Sequence, residues 1–287
     1  MESLKTYRGN CHCGAFVYEV MVPELTLAGE CNCSYCYKKG YLYSFVSPDR
    51  FKVVKGGEDT LRVYTFGTGR VLHKFCPKCS SGVLAENLNH PVEKRIAFNV
   101  HTIQHIDQWG LERFFETSNA NIGEPYVHPP HTGGQPKVDV DSERIYTGGC
   151  HCGALTVAVA SKPLDETFDG MLNQCNCSIC EHIGGIWTYP TKEKVVLVGS
   201  PSYYTMGVGF MRKSFCSTCG INIANSWNAD FTREQEDALP EESKQFILGA
   251  KVMHPINLRV LPDVDLGKLK VNRVDGWSRT PPEYVYP

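Results

Sequence analysis

The fourteen cysteines of this 287-residue chain fall in six short clusters, three in each half. A C-x-C or C-x-x-C pair presents two thiolates from one tight turn, and two such pairs complete the four-sulfur tetrahedron that a structural zinc prefers. Cys11, Cys13, Cys76 and Cys79 make one such set, and Cys150, Cys152, Cys216 and Cys219 make another. Seven cysteines per half do not divide into fours. Cys31, Cys33 and Cys36 remain in the first half, and Cys175, Cys177 and Cys180 in the second, each a three-thiolate set with its fourth position open to water or substrate. An incomplete protein shell is the mark of a reactive zinc rather than a structural one. About two zinc ions per half are therefore expected, and the absence of ferredoxin-type spacing argues against iron–sulfur clusters.

Three thiolates on a dication leave a net charge of about −1, so bound water is acidified less than it would be beside neutral histidines. A borderline-soft metal instead suits a substrate thiol, which becomes a positioned thiolate able to attack an aldehyde carbon, or departs as sulfur in the reverse direction. Such a step needs a proton carrier. His73 and Tyr64 are the catalytic candidates in the first half and Tyr204 in the second, with His101, His182 and His254 behind them. His12 and His151, lying between zinc cysteines, read as hydrogen-bonding side chains near the closed sets.

These residues must be positioned by a scaffold that the chain contains twice. Gly9-Asn10-Cys11-His12-Cys13-Gly14-Ala15 recurs around Cys150-His151-Cys152-Gly153-Ala154 at an offset of 139, Cys31-Asn32-Cys33-Ser34 recurs as Cys175-Asn176-Cys177-Ser178 at 144, and Phe75-Cys76 recurs as Phe215-Cys216 at 140. Offsets that drift by a few residues mean small loop insertions between duplicated copies. The expected organisation is a first domain over 1–129, a linker over 130–144 with prolines and adjacent glycines, and a second domain over 145–287.

Within each copy the apolar runs are short, β-branched or aromatic, and bounded by turn residues, which predicts a mostly β fold. Strands are expected at 15–22, 42–46, 51–54, 61–66 and 96–100, and in the second copy at 154–159, 186–189, 195–198, 202–206 and 246–248. Helices are expected only at 34–39 and 232–239. The glycines at 67, 69, 207 and 209 fit hairpins, since no nucleotide-loop signature accompanies them.

Composition narrows the partners. A net charge of −2, with 42% hydrophobic and 21% charged residues, gives no reason to expect nucleic acid. No apolar run approaches the ~20 residues of a membrane helix, and residues 1–8 carry no signal-peptide core. So many cysteines without such a signal fit reduced thiolates on metal, and the expected compartment is the cytosol or the nucleus.

The order Gly-x-Cys-His-Cys-Gly, Cys-Asn-Cys-Ser-x-Cys followed by Gly40, then Tyr64 and Phe75-Cys76-x-x-Cys79, resembles the glutathione-dependent formaldehyde-activating enzyme and centromere protein V family across nearly all of each copy. The resemblance implies tandem zinc-binding β-tent domains, a closed four-cysteine zinc and a second zinc on the C-x-C-x-x-C motif. It also implies carbon–sulfur lyase chemistry of the S-hydroxymethylglutathione synthase kind, with glutathione as cosubstrate and a small-molecule thiol adduct of formaldehyde or a similar electrophile as partner. Lys38 and Lys39, beside the first open set, are candidates to receive glutathione's carboxylates, whereas Glu181 and His182 stand there in the second copy. Two departures separate the copies: Cys79-Ser80 replaces the Cys-Gly of Cys219-Gly220, and His73 has Lys213 as its counterpart. The alternatives are a non-catalytic zinc-stabilised interaction module and an isomerase or hydrolase of a small metabolite on the same scaffold.

Overall fold

The structure is a computed structural model that describes residues 3–116, 124–139, 142–278 and 282–287. Val140 and Asp141 of the expected linker lie outside the described residues. The chain forms two compact units. Met1–Val127 makes the first, with Glu181–Gly184 and Val285–Pro287 grouped with it, and His128–Cys180 with Gly185–Tyr284 makes the second.

The first unit carries β1 (Lys5–Asn10), β2 (Val17–Val22), β3 (Leu27–Cys31), α1 (Ser34–Lys39), β4 (Leu42–Val46), β5 (Phe51–Lys55), β6 (Arg62–Tyr64), β7 (Val71–Phe75), β8 (Gly82–Asn87), β9 (Ile96–Asn99) and β10 (Glu112–Glu116). Strands β1, β2 and β5 form one antiparallel sheet, and the other seven form a sheet in the order β10-β3-β4-β9-β8-β7-β6. Only the β10·β3 pairing in that sheet is parallel, and it sets Glu116 beside Cys31.

The second unit repeats this plan with β11 (Arg144–Gly149), β12 (Thr156–Ser161), β13 (Leu172–Cys175), α2 (Ser178–Ile183), β14 (Trp187–Thr188), β15 (Val195–Val198), β16 (Ser202–Thr205), β17 (Met211–Phe215), β18 (Asn222–Trp227), α3 (Arg233–Asp237), α4 (Glu241–Lys244), α5 (Ile247–Val252), β19 (Ile256–Asn257) and β20 (Asn272–Val274). Its seven-stranded sheet, read from the β20 end, is β20-β13-β14-β19-β18-β17-β16, which matches the first unit strand for strand. The fold is mostly β in both copies.

Why these segments are strands follows from what they bury. Val17, Tyr18 and Val20 of β2, and Val157, Ala158 and Val159 of β12, are fully enclosed. Each valine among them contributes about 1.5–3 kcal/mol. In the middle of each seven-stranded sheet, Asn99 and Asn257 lock the same three elements together: the amide nitrogen of each donates to a carbonyl at the start of the neighbouring strand, Gly82 at 2.7 Å and Asn222 at 3.0 Å. Their carbonyl oxygens accept from Leu42 and Ile186.

One expected strand is wrong. Residues 246–248 belong to the α4–α5 region instead, with Phe246 capping α5. The true counterpart of β9 is β19, so the offset between copies grows from 140 at Cys76/Cys216 to 158 at Asn99/Asn257. A helical insertion fills the difference. It starts at α3, where Thr232 and Gln235 form a reciprocal capping box that the expected 232–239 helix contains.

Candidate metal centres

In the four-cysteine group of each unit, both pairs come from tight β-turns. Cys11 and Cys150 close their turns by donating backbone N–H to Phe16 and Leu155, whose own N–H groups return to the Cys11 and Cys150 sulfurs at 3.3 and 3.2 Å. The second turn closes between Cys76 and Ser81 in one unit and between Cys216 and Ile221 in the other. Adjacent sulfurs stand 3.7 and 3.6 Å apart in the first group and 3.6 and 3.5 Å apart in the second. A tetrahedral zinc with Zn–S bonds of ~2.3 Å separates its sulfurs by about 3.8 Å, whereas a disulfide brings them to about 2.05 Å. The donor set and spacing fit zinc, and no disulfide joins any of the fourteen cysteines.

The Cys79-Ser80 departure leaves the turn intact. Ser80 takes a left-handed φ of 60° where Gly220 takes 70°, and both donate N–H back to the first cysteine of the turn, Cys76 or Cys216. Only glycine adopts that conformation without a Cβ clash, so Ser80 stores strain of about 1 kcal/mol. Lys39 accounts for part of how it is held: its ammonium donates to the Ser80 carbonyl at 2.5 Å and lies over the Phe75 ring. Lys38 and Lys39 are both buried. The reading of Lys39 as a receiver of substrate carboxylates is therefore corrected, because its ammonium is buried and donates to a carbonyl of the closed-centre turn.

The three-cysteine groups are built at the junction of a strand and a one-and-a-half-turn helix. Strand β3 ends on Cys31, and Cys33 is the N-cap of α1, its sulfur accepting from the Cys36 N–H. Backbone N–H groups of Cys33 and Cys177 point at the Cys31 and Cys175 sulfurs at 3.4 and 3.3 Å. Gly40 ends α1 in a left-handed C-cap, which turns the chain directly into β4. In each group the three sulfurs lie within 4.8 Å of one another, and among the described residues no fourth donor joins either. Asn32 and Asn176, inside the repeated motif, donate backbone N–H to Glu116 and Val274 and so fix the parallel strand against the cysteines.

What surrounds these groups differs between the units. In the first, Tyr35 rises from α1 between Cys33 and Cys36 and is fully buried among aromatic rings: His73 at 4.4 Å, Tyr64 at 5.1 Å, Phe66 at 5.8 Å and Tyr41 at 6.3 Å. Tyr64 and His73 pair across β6 and β7. The structure thus brings two of the catalytic candidates together, and to the cysteine helix through Tyr35. Burial, reinforced by Cys36, pushes the Tyr41 hydroxyl well above its ordinary range, and that hydroxyl has no hydrogen-bond partner among the described residues. His101 stands elsewhere, its ring paired with Gln108.

In the second unit Ile179 takes the place of Tyr35, and Tyr204 pairs across the strands with Lys213. The Lys213 ammonium lies 3.2 Å from the Cys180 sulfur and 4.3 Å from the centre of the buried Trp187 ring. Cys180 is held well below the ordinary thiol range by its sister thiols Cys175 and Cys177 and, against burial, by Lys213. Cys36, at the same position of the first motif, is pushed well above it by Cys31, Cys33 and burial. After β20, the Asn176 side-chain oxygen accepts from both Gly276 and Trp277, at 2.7 and 3.0 Å. This seats Gly276 so tightly that a Cβ there would lie 2.3 Å from the Cys175 sulfur.

Residues 6–113 and 145–236 each match the family model described as glutathione-dependent formaldehyde-activating enzyme. The chain belongs to this family. The two matched stretches contain all fourteen cysteines, seven in each. A solved structure of a Rhodobacter sphaeroides protein, a structural-genomics target, is 28% identical to it, with coverage of 38% of this chain and 99% of that one and a TM-score of 0.34. Two positions that pack against the second three-cysteine group escaped sequence reasoning. Asn176 sat in plain view within the repeated Cys-Asn-Cys, but Gly276 lies beyond the second matched stretch and carries no motif.

Proposed function

We propose that each three-cysteine group holds a zinc ion with one coordination position left for substrate, and that the chain makes or breaks a carbon–sulfur bond in the thiol adduct of an aldehyde or similar electrophile. Formaldehyde and glutathione are the electrophile and thiol that the family's description supports. The observation that carries this reading is the pair of three-sulfur groups with no fourth protein donor among the described residues, each beside a complete four-sulfur group. When bound there, zinc would lower the proton affinity of a substrate sulfur and hold that sulfur as it attacks or leaves.

The chain's own residues supply the rest. Backbone N–H groups at Cys33, Cys36 and Cys177 donate to neighbouring sulfurs and fix their directions. In the addition direction the thiol proton passes to a side chain, the sulfur lone pair forms the C–S bond, and the carbonyl π pair moves to oxygen, which takes a proton. No oxidant or reductant enters. His73 with Tyr64 in the first unit and Tyr204 in the second are the proposed proton carriers, and the buried Tyr41 hydroxyl is a donor suited to the developing alkoxide. The Tyr35, Tyr64 and Phe66 rings beside His73 keep that region dry, which strengthens each of these hydrogen bonds.

The test is exchange between formaldehyde, glutathione and S-hydroxymethylglutathione, followed by NMR magnetisation transfer. The zinc-loaded chain should accelerate exchange, and the Cys33→Ser/Cys177→Ser double variant should lose at least about a hundredfold of that acceleration, in line with loss of a metal-held nucleophile. Full acceleration by the double variant would refute the proposal.

A further inference from the structure

We infer that Lys213 makes the second three-cysteine group the site that captures an anionic thiolate, whereas the first group, where His73 stands in place of that lysine, does not compete for it. This rests on the thiol reading above and adds a division of labour to it. The argument is one of charge. Three thiolates around a dication carry a net −1, and a fourth thiolate raises that to −2. Lys213 is buried, with its ammonium 3.2 Å from the Cys180 sulfur, so the second group reaches only −1 when the fourth thiolate arrives. The ammonium is held in place from its other side by the Trp187 ring, 4.3 Å away.

Three correlated replacements build this arrangement. Lys213 stands where the first copy has His73, Trp187 where it has Tyr43, and Gly185 where it has Tyr41. Gly185 is required by Trp187, because a Cβ at that position would meet the indole at 2.7–2.9 Å. In the first unit the corresponding His73 ring packs on Tyr35 at 4.4 Å and is parallel to Phe66 at 5.5 Å. The rings that His73 meets are aromatic, and a second unit of negative charge gains little from them. A full charge within several ångströms of the incoming sulfur changes affinity by about one to two powers of ten at the effective dielectric of a partly buried site.

The experiment loads the full chain with cobalt(II) in place of zinc and titrates glutathione, following the sulfur-to-cobalt charge-transfer and ligand-field bands. The wild type should take up one equivalent at low concentration. Lys213→Met should weaken that equivalent about tenfold or more at unchanged cobalt content, and His73→Lys should add a second equivalent. If Lys213→Met fails to retain its cobalt, the His73→Lys result decides, since the gain it reports does not depend on removing a buried residue. Undiminished uptake in Lys213→Met, or no added equivalent in His73→Lys, overturns this inference while leaving the thiol reading intact. No spectral response in the wild type overturns both.

Discussion

Around the four-cysteine groups the two copies are nearly interchangeable: turns close through the same backbone bonds, sulfurs stand at the same spacing, and a serine in a glycine conformation is the main departure. Around the three-cysteine groups they have separated. Tyr35, Tyr41 and His73 in one copy correspond to Ile179, Gly185 and Lys213 in the other, while the cysteines themselves and the strands that carry them are unchanged. A duplicated scaffold keeps what folding requires and varies what lines the three-cysteine group. Structural zinc centres tolerate little because they supply folding energy directly, whereas the walls of a reactive centre are free to change chemistry.

The largest expected effect is one in which the copies behave alike. Cys76→Ser and Cys216→Ser should each unfold their own unit, since a structural zinc is worth about 10 kcal/mol or more against a domain stability of about 5–15 kcal/mol. Limited proteolysis should show one unit digested and the other protected; survival of both units in either variant would break the symmetry. Next comes an effect confined to the second copy. Gly276→Ala puts a methyl group into the Cys175 sulfur and should cost that copy its three-cysteine metal, with zinc content falling by about one ion per chain and the first copy unaffected. Retention of full zinc content would show that the 275–278 turn yields.

A smaller effect separates the closed centres. Ser80→Gly should stabilise the first unit by about 0.5–1 kcal/mol by relieving its left-handed strain, and Gly220→Ser should destabilise the second by a similar amount, both read from urea unfolding midpoints. The smallest effect is on acid sensitivity. Burial, with Lys192 nearby, holds His254 below its ordinary value. Below about pH 6.5 the unfolded chain therefore binds a proton that the folded second unit refuses, so stability falls as pH drops through that value. His254→Gln should flatten the decline between pH 7.5 and 6.

Much of this was legible in the sequence because cysteine spacing and internal repetition are local signals. The C-x-C and C-x-x-C pairs specified their turns, residues 34–39 formed a helix from the N-cap Cys33 to the left-handed Gly40, and most apolar runs became strands. Residues 246–248 failed because an apolar run of three carries no period, and the helical insertion shifted the register that comparison with residues 96–100 assumed. Strands β1, β3, β7, β8 and β10, their counterparts β11, β13, β17, β18 and β20, and the short β19 were not anticipated, since their residues mix polar and apolar types. Lys39 misled for a physical reason: a lysine beside a reactive motif reads as exposed, yet its stem is buried and its ammonium satisfies a backbone carbonyl. Lys213 was recognised as a departure, but its place against Cys180 arises only when β17 folds beside α2.

The most direct test of the account is zinc content per chain by elemental analysis, on the wild type and on the Cys33→Ser/Cys177→Ser double variant. Two closed and two open centres predict about four zinc ions in the wild type and about two in the variant. About two in both proteins would contradict the account, because the three-cysteine groups would then hold no metal for a substrate sulfur to meet.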